Sequence, residues 1–241
     1  MTGARPRVFL LDVEGTVAPI ALVSEQLFPY ARAHLAEYLK QNLSSPEVQN
    51  DLKLLAEENR AEQSEDSPTF GIEIRNELHA RAYLLWLMEH DRKSTALKSL
   101  QGKIWKDGFE SGELKGTLFA DVPEAFARWA ADGRVAIYSS GSVEAQRLLF
   151  RYSTFGDLTP LISSYFDTRT GAKLASASYA MISRELGVES ADVIFFSDVV
   201  FELDAARGAG CSTRLLMREG NAPVEDAHGH EAISSLAEIG A

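Results

Sequence analysis

The stretch Val8-Phe9-Leu10-Leu11-Asp12-Val13-Glu14-Gly15-Thr16-Val17 constrains the fold of this chain more than any other. Bulky apolar residues run straight into an acid, a second acid follows two places on, and Gly-Thr closes the run. A short apolar segment bounded by glycine reads as a buried strand. A carboxylate at the end of such a strand needs a partner or a metal, because desolvating an unpaired charge is costly. Asp12 and Glu14 therefore read as a site rather than as polar residues that merely end a strand.

Apolar runs of the same kind recur at 135–138 and 193–196. The first ends in Ser139-Ser140-Gly141-Ser142 and the second in Ser197-Asp198. A short strand is expected at 161–166 and a last one at 213–217. Helical patterns separate them. Asp121-Val122-Pro123-Glu124 is a helix start, with an acid and proline in the first turn, and Phe126, Trp129 and Ala130 form its apolar side before Gly133 ends it. Val143, Leu148 and Leu149 mark a second helix. Tyr179, Ile182 and Leu186 mark a third that stops at Gly187, and 203–209 a fourth. Strands alternating with helices imply an α/β fold with a doubly wound parallel sheet. In such sheets ligands lie beyond the carboxyl ends of the strands. Asp12, Ser139 and Asp198 each follow a strand end, so the topology predicts that they share one crevice.

Between the first strand and the rest, helical spacing dominates. Leu27, Ala31, Leu35, Tyr38 and Leu39 predict a helix over 24–40, and Val48, Leu52 and Leu55 continue the pattern after Pro46. Residues 57–68 are polar and read as a helix end and loop. A helix is expected over 73–88, with Leu78, Leu85 and Met88 on its apolar face, and another over 91–105. The expected organisation is a catalytic α/β core from 1–17 and 117–241 with a mainly helical cap, 18–116, inserted after the first strand and hanging over the crevice. The end of the chain is polar, and His228-Gly229-His230 reads as part of a solvated tail.

Charge narrows the partners. The 241 residues carry 35 acids against 24 bases, a formal net charge of −11. That argues against nucleic-acid or anionic-membrane surfaces, which need Lys/Arg patches. It leaves room for a phosphorylated small molecule, because one local metal ion reverses the field. The single cysteine, Cys211, forbids an internal disulfide and reads as a core thiol, which fits a reducing, cytoplasmic setting. The first strand starts too near residue 1 for a signal peptide, and no apolar run reaches the ~18 residues that span a bilayer.

The chemistry follows from the residue types. Asp12 is ionised near neutrality, since a free Asp has a pKa of about 3.9, and so needs no base to act as a nucleophile. Its approach to a phosphate dianion meets like-charge repulsion, which Mg²⁺ shared by both would remove. Asp198 is the second carboxylate ligand expected, and the backbone carbonyl of Glu14 is placed for a third. The Glu14 carboxyl can protonate a leaving alkoxide and then activate water. Ser139 and Ser140, followed by the N–H groups that open a helix, form an anion site. The Lys173 ammonium can hold Asp12 and the transferring phosphoryl group together. Glu202, one helical turn after Asp198, is either another acid of the site or an orienting group for its loop.

The order Asp12-x-Glu14-Gly15-Thr16, Ser139, Lys173, Asp198 resembles the haloacid-dehalogenase-like phosphohydrolase superfamily. Its phosphatases carry an acid two places after the nucleophile, usually Asp and here Glu14. Within that superfamily the chain is similar to the acireductone synthase family of bifunctional enolase-phosphatases, through 27–32, 91–105, 137–142, 156–162, 165–167 and 196–206. Val17-Ala18 stands where that family has polar residues. The resemblance implies that 2,3-diketo-5-methylthiopentyl 1-phosphate is enolised and then dephosphorylated to the acireductone in methionine salvage. It also implies one Mg²⁺ per chain held by Asp12, Glu14 and Asp198, substrate held by Ser139, Ser140 and Lys173, and a monomer. The enolisation base is Glu14 or a residue of the cap. Trp86 and Trp105 are candidates for contact with the methylthio end, against a role in core packing.

Overall fold

A computed structural model describes residues 7–240. Residues 1–6 and 241 lie outside the described residues, and with them the expectation about a signal peptide. The chain divides into two compact units, Met1–Val23 with Lys115–Ala241, and Ser24–Leu114.

The first unit is built on six parallel strands: β1 (Arg7–Leu11), β2 (Gly133–Tyr138), β3 (Ile162–Phe166), β4 (Val193–Ser197), β5 (Ser212–Leu216) and β6 (Glu231–Ile233). They pair in the order β3-β2-β1-β4-β5-β6. The other unit holds α1 (Phe28–Asn42), α2 (Pro46–Ala61), α3 (Glu77–Glu89) and α4 (Thr95–Ser111), and between the strands run α5 (Val122–Asp132), α6 (Val143–Arg151), α7 (Ser176–Leu186) and α8 (Val200–Gly208). Val8, Leu10, Val135, Ile137, Val193 and Phe195 are all fully or almost fully buried. A parallel sheet covered on both faces demands such unbroken apolar runs, because neither face can turn to water. On one face Trp129 of α5 stacks on Phe9, ring centroids 4.4 Å apart and planes within 2°, and on Phe196 at 5.4 Å. Such aromatic pairs add about 0.5–1.5 kcal/mol each beyond their burial.

β1 lies between β2 and β4, where the strand order reverses. That switch point opens the crevice beyond the carboxyl ends, and Asp12 is the first residue past β1. Ser139 follows β2 and Asp198 follows β4, as the sequence reading expects.

The second unit is helical, built of α1 to α4. A π-helical segment, Leu22–Leu27, precedes α1. The core of the unit includes Ala31, Leu35, Leu39, Val48, Leu55, Tyr83, Leu84, Leu100 and Ile104. Trp86 is buried, and the Trp105 indole N–H donates to the Leu27 carbonyl at 2.7 Å, so both rings pack within this unit.

Four expectations need correction. The helix expected from 73 begins at Glu77, because the Asn76 side chain accepts the His79 N–H and caps it. Its buried face is Ala80, Tyr83, Leu84, Trp86 and Leu87, while Leu78 is 71% exposed. The helix expected from 91 begins at Thr95: Asp91 sits in a turn with φ +47°, and Ser94 caps the helix through the Leu97 N–H. Residues 218–240 are no solvated tail. They add β6, and His230 is 6% exposed, its ring nitrogens 2.7 Å from Thr213 Oγ1 and 3.1 Å from Asp204 Oδ1. Cys211 is buried as expected, and burial pushes its thiol up to about 11. Among the described residues no helix is long and apolar enough to cross a membrane.

Candidate active site

The loop after β1 is drawn tight by its own backbone. The N–H groups of Thr16, Val17 and Ala18 all converge on the Val13 carbonyl, and the Gly15 N–H donates to Ala18 O at 2.8 Å. Gly15 takes φ +68°, a region where a Cβ would be strained. Asp12 still belongs to the sheet through its N–H, which donates to Phe196 O at 2.9 Å. Its carboxylate accepts the Val13 N–H at 2.7 Å and is almost fully buried.

Lys173 reaches this carboxylate. Its Nζ lies 2.7 Å from Asp12 Oδ1 and 2.7 Å from Glu202 Oε2, with about a tenth of the side chain exposed. Its loop is fastened at three carbonyls. Tyr138 donates to Gly171 O at 2.9 Å, Ser178 to Ala172 O at 2.8 Å, and Tyr179 to Lys173 O at 2.8 Å. Burial alone would lower the ammonium's pKa, but the charges of Asp12 and Glu202 outweigh it and hold Lys173 protonated.

Asp198 presses against Gly15, so closely that a Cβ there would stand 2.3 Å from Asp198 Oδ2. Burial, reinforced by the charge of Asp12, pushes its carboxyl up to about 7. Glu202 is raised for the same reasons, although Lys173 and the Ser197 hydroxyl, which donates at 2.9 Å, both favour its ionised form.

Ser139 is buried and Ser140 exposed at the start of the α6 loop. The Ser139 hydroxyl oxygen accepts the Gly141 N–H at 3.1 Å, which shapes the turn ahead of the Ser142 cap. Glu14 is half-buried beside Gly15, in a bridge to Ala18. The contacts thus join Asp12 to Lys173 directly and set Asp198 on the Asp12 loop through Gly15, while Ser139, Ser140 and Glu14 lie on the loops that follow β2 and β1. The shared role of Glu202 at Lys173, and the tyrosines that hold the lysine loop, are absent from the sequence reading. The spacing of Glu202 from Asp198 was the only signal for the first. Tyr138 and Tyr179 carry none, because a tyrosine in an apolar run reads as core.

A parallel sheet with this order, an aspartate past β1 and a lysine paired to it define a class, and residues 6–210 match the haloacid dehalogenase-like hydrolase family. The chain belongs to that family, and within it to the enolase-phosphatase E1 enzymes. It is 54% identical to the enolase-phosphatase E1 of Synechococcus elongatus over 217 residues, 90% of each chain. It is 45% identical to that of Leptospira borgpetersenii serovar Hardjo-bovis over 234 residues, 95% of this chain and 96% of the relative. Among solved structures, the UTR4 protein from Saccharomyces cerevisiae superposes with a TM-score of 0.79 at 38% identity, covering 96% of this chain and 98% of that one.

Proposed function

We propose that this chain enolises 2,3-diketo-5-methylthiopentyl 1-phosphate and then removes its phosphate, yielding the acireductone of methionine salvage. The observation that carries the phosphatase half is the pair of 2.7 Å contacts that ties one lysine to Asp12 and Glu202 at the sheet's switch point. Similarity to enolase-phosphatase E1 proteins over nine-tenths of the chain supports the choice of substrate.

In this reading Asp12 attacks phosphorus and forms an aspartyl phosphate, and water then releases the phosphate. Glu14 hands a proton to the leaving oxygen and takes one from the attacking water. Lys173 lies beside Asp12 and neutralises charge on the transferring group. Ser139 and Ser140, with the N–H groups at the start of α6, bind the phosphate oxygens. Burial of the Lys173–Glu202 pair keeps this charge fixed in a low-dielectric setting, where it acts more strongly than in water.

The residues fit a divalent cation. Asp12 and Glu202 share Lys173 as their cation, Asp198 lies against Gly15 of the Asp12 loop, and burial, reinforced by the charge of Asp12, raises the Asp198 carboxyl to about 7. Asp12, Asp198 and the main-chain carbonyl of Glu14 would hold one Mg²⁺, whose preference is for a few carboxylates, waters and substrate oxygens. It would supply charge neutralisation at the phosphoryl oxygens and polarise the carbonyl for enolisation. We read the two units as catalytic core and cap, acting as a cytoplasmic monomer on a small phosphorylated substrate.

The test follows the diketone phosphate in time. An enol absorbance should rise before phosphate, EDTA should abolish turnover and Mg²⁺ restore it, and Asp12→Asn should release no phosphate. Phosphate release without the enol would point to an ordinary phosphomonoesterase and overturn the assignment.

A further inference from the structure

We infer that Arg218 and Asn221, in the loop after β5, are positioning residues that hold the Asp12 loop in its working shape. This rests on the reading of Asp12 and Asp198 given above. Both residues lie more than 200 positions from that loop in sequence, yet each donates to one of its carbonyls. Asn221 Nδ2 donates to Gly15 O at 2.8 Å and, more weakly, to Leu216 O at 3.3 Å. Arg218 Nε donates to Thr16 O at 3.1 Å.

These side chains are themselves fixed. An amide nitrogen facing two carbonyls leaves the Asn221 side chain one orientation, since only its NH₂ end can donate. The Arg218 side chain is 6% exposed. Its Nη1 donates to Asp121 Oδ2 at 2.8 Å and to Ser234 O at 3.1 Å, and its guanidinium lies over the Phe119 ring at 4.4 Å. The Phe119 N–H in turn donates to Val17 O at 3.0 Å. A planar fork can serve such divergent acceptors at once; a lysine ammonium on its flexible stem cannot.

What makes the clamp bear on chemistry is the peptide it grips. Gly15 has its carbonyl held by Asn221 and its α-carbon against the Asp198 carboxylate. Displacement of the loop at Gly15–Thr16 would carry that α-carbon with it and let Asp198 shift against Asp12. Asn221 and Arg218 remove this freedom. They touch no reacting atom and act through the loop.

The test compares Asn221→Leu with wild type in three measurements: kcat and KM on the diketone phosphate, Mg²⁺ binding by calorimetry on substrate-free protein, and the thermal midpoint. A displaced carboxylate pair predicts a kcat lower by about ten- to a hundredfold with KM nearly unchanged, and weaker Mg²⁺ binding. Arg207→Ala is the control: it breaks the 2.8 Å bond to His228 O in the same terminal segment and should keep wild-type kcat. If Asn221→Leu does not fold, Asn221→Ser is read in the same way. A variant that loses thermal stability alone, its folded fraction binding Mg²⁺ and turning over like wild type, overturns the inference. Asp12→Asn run alongside separates the two levels. If it stays active, the reading of the site has failed; if it is dead while Asn221→Leu is normal, only the clamp has failed.

Discussion

Gly15→Ala isolates the contact on which the geometry of the two acids depends. Gly15 and Gly187 both take φ +68°, but their surroundings differ. A Cβ on Gly187 would meet nothing within 4 Å, whereas one on Gly15 would stand 2.3 Å from Asp198 Oδ2, 2.5 Å from its Cγ and 3.0 Å from Oδ1. Both substitutions carry the cost of left-handed backbone, roughly 1–2 kcal/mol. That corresponds to about 2–8 °C in thermal midpoint for a chain of this size. Only at Gly15 must the carboxylate also withdraw, by about 1 Å to regain ordinary contact at 3.4 Å. A misplacement of that size costs on the order of a hundredfold in rate. Purified Gly15→Ala and Gly187→Ala are melted, and their turnover is measured at saturating Mg²⁺. The expected result is destabilisation at both positions, greater at Gly15, with a rate loss of about two orders of magnitude confined to Gly15→Ala. Equal activities in the two variants would mean that backbone strain is the whole effect and that Asp198 does not depend on the Gly15 contact.

Further outcomes follow from the buried charges. Lys173→Met leaves Asp12 and Glu202 without their ammonium, and breaking a buried pair in this way costs about 3–5 kcal/mol. Adding Glu202→Gln should recover much of the thermal midpoint but none of the turnover, which melting curves and phosphate assays would separate. Asp198 sets a pH dependence in the metal-free protein. Its folded pKa, about 7, lies above the ordinary 3.8, so the folded state holds the proton more tightly. The resulting penalty is absent at low pH, grows as pH rises from about 4 to 7, and is complete above that. Wild type should therefore lose thermal stability relative to Asp198→Asn between about pH 4 and pH 7. Mg²⁺ at the upper end should stabilise wild type and leave Asp198→Asn unmoved.

The loops of the candidate site are legible in the sequence because a buried parallel strand cannot hide its end. In Val8 to Leu11 every residue is apolar, so the first carboxylate marks the point where the sheet opens to the crevice. The same logic located Ser139 and Asp198. Faces were harder to read where apolar residues surround a helix. In α3, Leu78 to Met88 offers several apolar stripes, and periodicity cannot say which one is buried. The starts of α3 and α4 were written in Asn76 and Ser94, cap residues that apolar spacing alone overlooks. β6 is a three-residue edge strand with only Ile233 buried, too short to leave a pattern. The grip of Arg218 and Asn221 on the Asp12 loop runs to backbone carbonyls, and a carbonyl has no residue type for a sequence to display.

In the proposed mechanism the Asp12 carboxylate carries the phosphoryl group between substrate and water. Hydrolysis of a chiral phosphorothioate ester in isotopically labelled water tests it most directly, by the configuration of the released phosphorothioate. Two successive in-line displacements predict retention at phosphorus. Inversion would mean that water attacks the ester in a single step, and that Asp12 is not the nucleophile.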